Sequence, residues 1–287
     1  MPQVSVIIPS RNPRPDWMGA LFDSLLAQTL SDFEVIVVDD ASDGAAYALP
    51  EDSRFRLVRR PRRSGPAACR NAGAAEARAE CLFFTDTDCF LGPDTLSRAV
   101  KELALAPVST GNTITRVETP FGRLVALLGF PGGGILGFDR VWRVDPAGFA
   151  QSFSSCNVAV RRSLFAEMGG FDETFPVAGG EDTVLARRIL EAGHKIRYQA
   201  AQEVFHVEKP DLRGFIRWQI VRGRGNFHIH RRVPKVGGYL RLRLWTFRNS
   251  LKAAGLRAAP AVLALIALSV LLQLWGYWRE RRVWEQA

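Results

Sequence analysis

Unbroken apolar runs of strand length alternate with segments of helical periodicity along the first 105 residues. The runs that predict strands are 4–10, 33–40, 55–60 and 81–86, and the segments that predict helices are 16–30, 65–80 and 92–105. Strands that are apolar throughout, rather than at every second residue, are typical of a parallel sheet covered by helices on both faces. The sequence therefore predicts an α/β fold.

Three of the predicted strands end in residues suited to binding a ligand. These residues are Pro9 and Ser10, Asp39 and Asp40, and Asp86 with Asp88. In sheets of this kind ligands bind outside the carboxyl ends of the strands. We therefore expect the three groups to face one binding site.

Asp86 and Asp88 are separated by one residue, directly after the apolar run 81–84. On extended backbone their side chains point the same way, so two like charges would repel each other. A divalent cation would offset this repulsion, and Mg²⁺ and Mn²⁺ prefer oxygen ligands. The alternative interpretation is a solvated turn after a strand, and the pair alone does not decide between the two.

Several other ligand classes lack their motifs in this chain. There is no phosphate-binding loop of the G-x-x-x-x-G-K-[ST] type and no G-x-S-x-G nucleophile elbow, and the glycines at 132–134 lack the context of a dinucleotide-binding turn. A metal-bound nucleoside diphosphate remains as the candidate ligand. Asp39 would accept hydrogen bonds from the base, and a metal at Asp86 and Asp88 would bridge phosphate oxygens.

Five blocks of sequence together resemble the glycosyltransferases of family 2. They are VSVIIPSRN, LLAQTLSDFEVIVVDDASDG, GPAACRNAGAAEA, FFTDTDC and GGFDETFPVAGGEDTVLARRILEAGHKI, within residues 3–206. The resemblance implies a GT-A fold, which is a Rossmann-like, mixed but mostly parallel sheet with helices on both faces. It also implies inverting transfer of a sugar from a nucleotide-activated donor, with Mn²⁺ or Mg²⁺ as the usual cofactor.

The resemblance also implies a role for individual residues. Asp182 matches the catalytic base, with Glu181 beside it, and Asp88 matches the direct metal ligand. The donor nucleotide is expected at Pro9, Ser10, Asn12, Asp39, Arg70, Asn71 and Asp86, and the metal at Asp86, Asp88 and His206.

Each of these assignments has a structural alternative. Carboxylates in the first turn of a helix are favoured by its dipole, which would explain Glu181 and Asp182 without catalysis. His206 could be an ordinary core histidine, and Arg70 and Asn71 could be polar residues on a helix surface. For the chemistry, one carboxylate is needed to take the proton of an acceptor hydroxyl, a contribution of typically 10²–10⁴-fold.

All of the excess positive charge lies in one late segment. Residues 222–257 hold ten Lys and Arg and no acidic residue, and residues 258–278 carry no charge at all. A helix of 21 residues reaches roughly 30 Å, the thickness of a bilayer's hydrocarbon core. Anionic lipid is therefore favoured over nucleic acid as the partner of this segment. Whether the apolar helix spans the membrane, lies in it, or is buried in the protein is left open.

The sequence thus predicts a glycosyltransferase domain over 1–235 and a membrane-associated segment over 236–287. The expected donor is a UDP-sugar, and the expected acceptor is a glycan or polyprenyl-linked molecule at the cytoplasmic face of the membrane, with no role for nucleic acid. Four cysteines without a C-x-x-C pair and no signal-peptide pattern favour a reduced cytosolic setting. The alternatives are a sugar nucleotidyltransferase and a non-catalytic binder of nucleotide sugars.

Overall fold

The computed structural model describes residues 1–44, 48–175, 178–233 and 237–286, with side chains of 237–240 excepted. A 3₁₀ turn at Phe138–Arg140 accompanies the strands and helices. In chain order these are β1 Val4–Ser10, α1 Pro15–Leu26, β2 Phe33–Asp39, β3 Phe55–Arg59, α2 Pro66–Glu76, β4 Cys81–Phe84, β5 Cys89–Leu91, α3 Thr95–Leu103, β6 Val108–Arg116, α4 Pro120–Ala126, β7 Phe149–Ala150, β8 Val158–Arg161, α5 Arg162–Glu167, α6 Glu181–Glu191, β9 Ile196–Val207, α7 Leu212–Arg232 and α8 Gly237–Glu285.

The strands within these described ranges form one mixed sheet in the order β3-β2-β1-β4-β8-β6-β9-β5, with β7 on β9. The first four strands of the chain pair in parallel, as does β6 with β9. The pairs β4–β8, β6–β8, β5–β9 and β7–β9 are antiparallel. The predicted α/β fold with a mixed sheet is confirmed, and its parallel part is the amino-terminal half.

Strands β1, β2 and β4 are buried on both faces, as their unbroken apolar sequence indicates. Alternate residues of β1 enter two different cores, because side chains on a strand point to opposite faces. Ile7 packs with residues of α2, α5 and α6, whereas Val6 and Ile8 pack with α1 and α3. Helices therefore cover the sheet on each side.

Helix α2 lies unusually close to the sheet at Gly73. A Cβ atom at this position would stand 2.5 Å from Ile7 Cγ2 and 3.1 Å from Val38 Cγ2. Only glycine therefore allows this approach, which positions the remainder of α2, including Arg70, over the ends of the strands.

A third apolar cluster joins α4, the segment 127–142, α7 and α8. Its buried members include Val125, Phe215, Val262 and Ile266. Helix α8 is interrupted at Gly255, which has φ 64° and ψ 176°, so it consists of two helical parts. The boundary predicted between 235 and 236 lies outside the described residues.

We predict opposite stability effects for alanine at two helical glycines. Gly73→Ala should lower the free energy of unfolding by about 1–3 kcal/mol, because the new methyl group overpacks against Ile7. Gly19→Ala in α1, where a Cβ atom would meet nothing within 4 Å, should raise it by roughly 0.5–1 kcal/mol. Thermal unfolding of both variants checks this, and a Gly73→Ala variant as stable as Gly19→Ala would contradict the close packing of α2.

Candidate active site

A cleft of about 980 Å³ opens at the carboxyl ends of the parallel strands. It is lined by both predicted strand-end residues of β1 and by the acidic residues that follow β4. It also reaches the start of α6 and one side of α7. Among the residues predicted for the site, the lining contains Pro9, Ser10, Arg70, Asp86, Asp88, Glu181, Asp182 and His206. Two of the three predicted strand-end groups, Pro9 with Ser10 and Asp86 with Asp88, therefore line the same cleft with both of their residues.

One corner of the cleft contains a set of groups suited to a divalent metal. Asp88 follows the turn after β4, and β5 pairs with β9 so that Cys89 stands opposite His206. Oδ2 of Asp88 lies 3.5 Å from Nε2 of His206. His206 Nδ1 lies 2.8 Å from the carbonyl oxygen of Val207, a contact in which Nδ1 donates and Nε2 is left to face the cleft.

The protonation of these groups fits Mn²⁺ or Mg²⁺ at this corner. Burial alone would raise the pKa of Asp88, but neighbouring His206 and Lys209 hold it below its usual value, so the carboxylate is ionised. Burial raises the pKa of the Cys89 thiol well above its usual value, which disfavours a thiolate ligand. An ionised carboxylate beside an imidazole nitrogen is a donor set that Mn²⁺ accepts.

Asp86 does not stand with Asp88 in this corner. Its Oδ1 accepts a hydrogen bond of 2.6 Å from Nη2 of Arg70. The group of potential metal ligands found among the described residues contains Asp88, Cys89 and His206 and not Asp86. The predicted repulsion assumed extended backbone, whereas Thr87 and Asp88 lie in a turn and the charge of Asp86 is offset by Arg70.

Arg70 connects the two acidic parts of the cleft. While Nη2 donates to Asp86, Nη1 donates to Oε1 of Glu181 at 2.9 Å. The side chain of Arg70 is only 4% exposed. Burial works against its positive charge, but Asp86 and Glu181 more than offset this and raise its pKa. The guanidinium is therefore a permanent positive charge between β4 and α6.

Glu181 and Asp182 begin α6 and have different environments. Both oxygens of Glu181 have donors, since Oε1 accepts from Arg70 and Oε2 from the backbone N–H of Gly179 at 2.8 Å. Asp182 has no charged donor: its carboxylate accepts from the backbone N–H of Thr183 at 2.7 Å and of Ser155 at 3.4 Å, and from the Thr183 hydroxyl at 3.4 Å. Burial, followed by the charge of Glu181, raises the pKa of Asp182 to about 6. Asp182 is thus the carboxylate whose proton affinity suits a general base near neutral pH.

Three of the predicted donor-site residues are placed outside the lining of the cleft. Asp39 at the end of β2 accepts hydrogen bonds from Ser42 and pairs with Arg59 at 3.3 Å. Asn12 bonds to Asp43 at 2.8 Å through its side-chain amide. Asn71 uses its amide on the backbone of the loop after α5, donating to Phe171 at 2.8 Å. In this structure these side chains hold loops in place around the cleft.

Lys209 lines the cleft although no sequence pattern predicts it, and Asp40 lines it as one of the predicted strand-end residues. Lys209 follows β9, and its Nζ lies 3.7 Å from Oδ2 of Asp88. Asp40 accepts from the backbone of Ser64 at 2.6 Å and of Gly65 at 2.9 Å, which fixes the entry to α2. A lone lysine after a strand matches no motif, so only the folded geometry identifies it.

Two family models match this chain in succession. Residues 5–132 match "Glycosyl transferase family 2", and residues 141–210 match "N-terminal domain of galactosyltransferase". The chain thus contains a glycosyl transferase family 2 domain, followed by a match to a galactosyltransferase domain. The family inferred from the five sequence blocks is therefore confirmed.

Curated relatives are also glycosyltransferases. The Pre-mycofactocin glycosyltransferase of Mycobacterium tuberculosis is 29% identical over 74% of this chain and 44% of its own length. An N-acetylglucosaminyltransferase of Bradyrhizobium diazoefficiens is 25% identical over 96% of this chain and 58% of its own length. The chain thus spans about half the length of these curated relatives.

Solved structures share the fold. A mannosyltransferase from Pyrobaculum calidifontis, in complex with GDP-Man and Mn²⁺, gives a TM-score of 0.56 at 22% identity, over 94% of this chain and 75% of that one. GalNAc-T7 with UDP, GalNAc and Mn²⁺ gives a TM-score of 0.56 at 15% identity, over 86% and 54%. These similarities confirm the predicted GT-A fold.

We predict that Asp182 makes stability depend on pH. Its pKa is higher in the folded chain than in the unfolded chain, so its contribution is complete below pH ~4 and is lost as the pH rises through about 6. Asp182→Asn should therefore gain stability relative to the parent protein between pH 4.5 and 7.5. The gain should be on the order of 1–3 kcal/mol, since one pKa unit corresponds to about 1.4 kcal/mol.

Thermal unfolding across this pH range measures the difference between the two proteins. Asp23→Asn, at an exposed position on α1, is the matched control and should follow the parent curve. Parallel curves for Asp182→Asn and the parent would contradict a raised pKa at this carboxyl.

Proposed function

We propose that this protein is an inverting glycosyltransferase that uses a nucleoside-diphosphate sugar and a divalent metal. The donor is taken to be a UDP-sugar, and the acceptor a hydroxyl of a glycan or polyprenyl-linked molecule at the membrane surface. The observation that carries the proposal is that Asp182, with its raised pKa, lines the same cleft as Asp88 and His206. A base and a metal corner within one cleft are the two requirements of metal-assisted sugar transfer.

Similar structures support the donor and the metal. One contains GDP-Man with Mn²⁺ and the other UDP with Mn²⁺, so the feature common to both is a nucleoside diphosphate beside manganese. In this chain Asp88 and His206 would hold the metal, which would act as a Lewis acid on the diphosphate. Lys209 adds a positive charge at the same corner, where the leaving group becomes more negative.

Asp182 accounts for the proton that the reaction releases. The acceptor O–H proton passes to a carboxylate oxygen of Asp182 while the acceptor oxygen forms its bond to the anomeric carbon. The bond from that carbon to the donor phosphate breaks, and the nucleoside diphosphate leaves with the electron pair. Attack opposite the leaving group inverts the anomeric centre. A base with a pKa near 6 is mostly ionised at pH 7 and can release its proton afterwards.

Glu181 is proposed as a positioning residue and not as the base. Its oxygens are both occupied, by Arg70 and by the backbone of Gly179. Asp86, held by the same arginine, is proposed to lie beside the donor instead of binding the metal directly. Asp39, Asn12 and Asn71 would then act on the donor through the loops that they fix.

Two alternative functions fit the site less well. A sugar nucleotidyltransferase would use a glycine-rich, arginine-containing loop after the first strand, and the segment after β1 reads RNPRP. A non-catalytic binder of nucleotide sugars would keep the metal corner but would have no use for a buried carboxylate with a raised pKa. Asp182 therefore favours the enzyme.

The membrane association rests on the carboxyl-terminal segment. Within the described residues one helix, from Arg241 to Glu285, is long and apolar enough to cross a membrane. The ten basic residues of 222–257 would attract anionic lipid at the cytoplasmic face. We propose on this basis that 1–235 is the catalytic domain and 236–287 the membrane-associated segment.

Asp182→Asn is predicted to abolish transfer while leaving donor binding intact. Nucleotide release should be screened across UDP-, GDP- and dTDP-sugars with Mn²⁺ in the parent protein, and the best donor used for the variant. The turnover number should fall by about 10²–10⁴-fold, because the base is lost, while the KM for the donor stays within a factor of about 2–3. Unchanged turnover would exclude Asp182 as the base, and no nucleotide release with any donor would oppose the proposed function.

Asp88→Asn and Asp86→Asn are predicted to affect the metal differently. Asp88→Asn removes a ligand and should weaken Mn²⁺ binding in the presence of UDP by more than about 10-fold. Asp86→Asn removes only the partner of Arg70 and should weaken it by less than about 3-fold. Electron paramagnetic resonance of free Mn²⁺ measures both, and equal losses would show that the two carboxylates bind the metal jointly.

A further inference from the structure

The second part of α8, after Gly255, docks on the protein along one face only. Apart from the adjacent Leu265 and Ile266, its buried positions recur at intervals of three, four or seven residues, which places them on one stripe of a helix. They are Val262, Leu265, Ile266, Ser269, Gly276 and Glu280. The helix is therefore attached to the body of the protein and is not a free-standing anchor.

Two glycines bring this helix against α7 at backbone distance. A Cβ atom at Gly223 of α7 would stand 2.1 Å from the carbonyl oxygen of Gln273, and one at Gly276 would stand 2.3 Å from that of Ile220. Gln273 itself donates to Gln219 at 2.8 Å and accepts from Asn226 at 3.0 Å. The contact combines close helix packing with hydrogen bonds between polar side chains.

A buried ion pair fixes the end of the same contact. Glu280 accepts from Nε of Arg224 at 2.6 Å and lies 3.0 Å from Nε2 of His228. Separating the helices would leave these groups buried or unpaired, which costs several kcal/mol. Because the contacts run from Gln219 with Gln273 to His228 with Glu280, the two helices pack in parallel.

The opposite face of the helix is apolar and open. Leu256 is 95% exposed, Leu271 64% and Leu263 56%. Leu274 and two tryptophans, Trp275 and Trp278, are about half exposed. A continuous apolar stripe of this size on a single face marks an interaction surface. We call the stripe formed by Leu256, Leu263, Val270, Leu271 and Leu274 the apolar face.

The chemistry around the apolar face matches a lipid surface. Exposed basic side chains stand at both of its ends, Lys252 and Arg257 before it and Arg279 and Arg282 after it. Basic residues at the edge of an apolar helical face pair with anionic headgroups, and tryptophans prefer the headgroup level. A protein partner would not require this distribution.

The attachment to α7 argues against a membrane-spanning orientation. α7 carries six arginines among its 21 residues. A helix crossing the bilayer over 258–278 would draw the adjoining turns of α7, including Arg217 and Arg224, toward the hydrocarbon. Each arginine at the bilayer centre costs about 2.5–3.5 kcal/mol on insertion scales and more by other estimates. Lying in the membrane plane avoids this cost entirely.

We propose that residues 256–284 lie in the plane of an anionic bilayer surface, with the apolar face in lipid and α7 on the opposite side. α7 would then stand between the lipid and the cleft, which it lines with Trp218 and Arg222. Packed helix axes are about 8–10 Å apart. The cleft would begin roughly one helix diameter above the headgroups. The orientation does not depend on the proposed sugar transfer.

Single reporter cysteines distinguish the two orientations. All four native cysteines are buried, so new ones can be labelled selectively. Arg257→Cys and Arg282→Cys mark the two ends of the apolar stretch, and Arg213→Cys on α7 marks the side of the catalytic domain. Each full-length variant is expressed in a bacterium, and sealed inside-out and right-side-out membrane vesicles are treated with a membrane-impermeant maleimide.

If the helix lies in the membrane plane, all three positions should be labelled in vesicles of the same orientation. Labelling in that orientation should exceed labelling in the other by at least about fivefold. Labelling of Arg257→Cys and Arg282→Cys in opposite orientations would show a spanning helix and overturn the proposal. This measurement needs no donor or acceptor. The proposed orientation can therefore fail while the proposed function stands, and the proposed function can fail while the orientation stands.

Flotation with lipid vesicles tests the apolar face itself. The parent protein should float with phosphatidylcholine vesicles containing phosphatidylglycerol and float several-fold less with phosphatidylcholine alone. Leu271→Gln/Leu274→Gln should reduce flotation by at least fivefold. The matched control, Leu26→Gln/Leu105→Gln, changes two exposed leucines of the catalytic domain and should float like the parent.

Equal flotation of the two double variants would refute lipid as the occupant of the apolar face. A second outcome would also refute it: the parent dimerises with increasing concentration without binding vesicles, and Leu271→Gln/Leu274→Gln does not dimerise. The apolar face would then bind a second copy of the chain.

Discussion

The buried guanidinium of Arg70 is the contact on which the geometry of the cleft depends. It donates to Asp86 after β4 and to Glu181 at the start of α6, two elements that are 95 residues apart in the chain. A buried arginine without partners would be very costly, and with two carboxylates it is stable only when both elements are in place. The pairing therefore makes the cleft an all-or-none feature of the fold. The glycine at position 73 matters for the same reason, because it lets α2 bring Arg70 to this depth.

The same contact separates the roles of the acidic residues. Arg70 pairs with Asp86 and Glu181, whereas Asp88 is governed by its imidazole and ammonium neighbours and Asp182 by burial and the charge of Glu181. One carboxyl has its pKa held low and the other has its pKa raised. Such a difference between carboxylates of one cleft is how a single site can hold a cation and accept a proton at the same pH.

The fold and the positions of Asp88 and Asp182 could be predicted from sequence because local patterns determine them. An apolar strand ends where its run ends, and a helix begins where two glycines meet acidic residues. Asp39 and Asn71 could not be placed in this way. The side chain of Asn71 bonds to the backbone of a loop that is distant in sequence, and the side chain of Asp39 bonds to the turn that follows it. The different surroundings of Asp86 and Asp88 also depend on more than strand alternation. Thr87 and Asp88 lie in a turn, and Asp86 is held by an arginine that α2 supplies.

Hydropathy alone left open whether the apolar stretch spans the membrane, because it averages around the helix. What distinguishes the two sides are three residues inside the stretch, Ser269, Gln273 and Gly276, whose spacing places them on one stripe. A helix surrounded by lipid has no need of a glutamine there, whereas a helix docked on α7 uses it for hydrogen bonds to Gln219 and Asn226. Since α7 also lines the cleft, the surface proposed to face lipid and the proposed acceptor site are two sides of one helical layer. On that proposal, an acceptor carried by a lipid would meet Asp182 without any movement of the catalytic domain across the membrane.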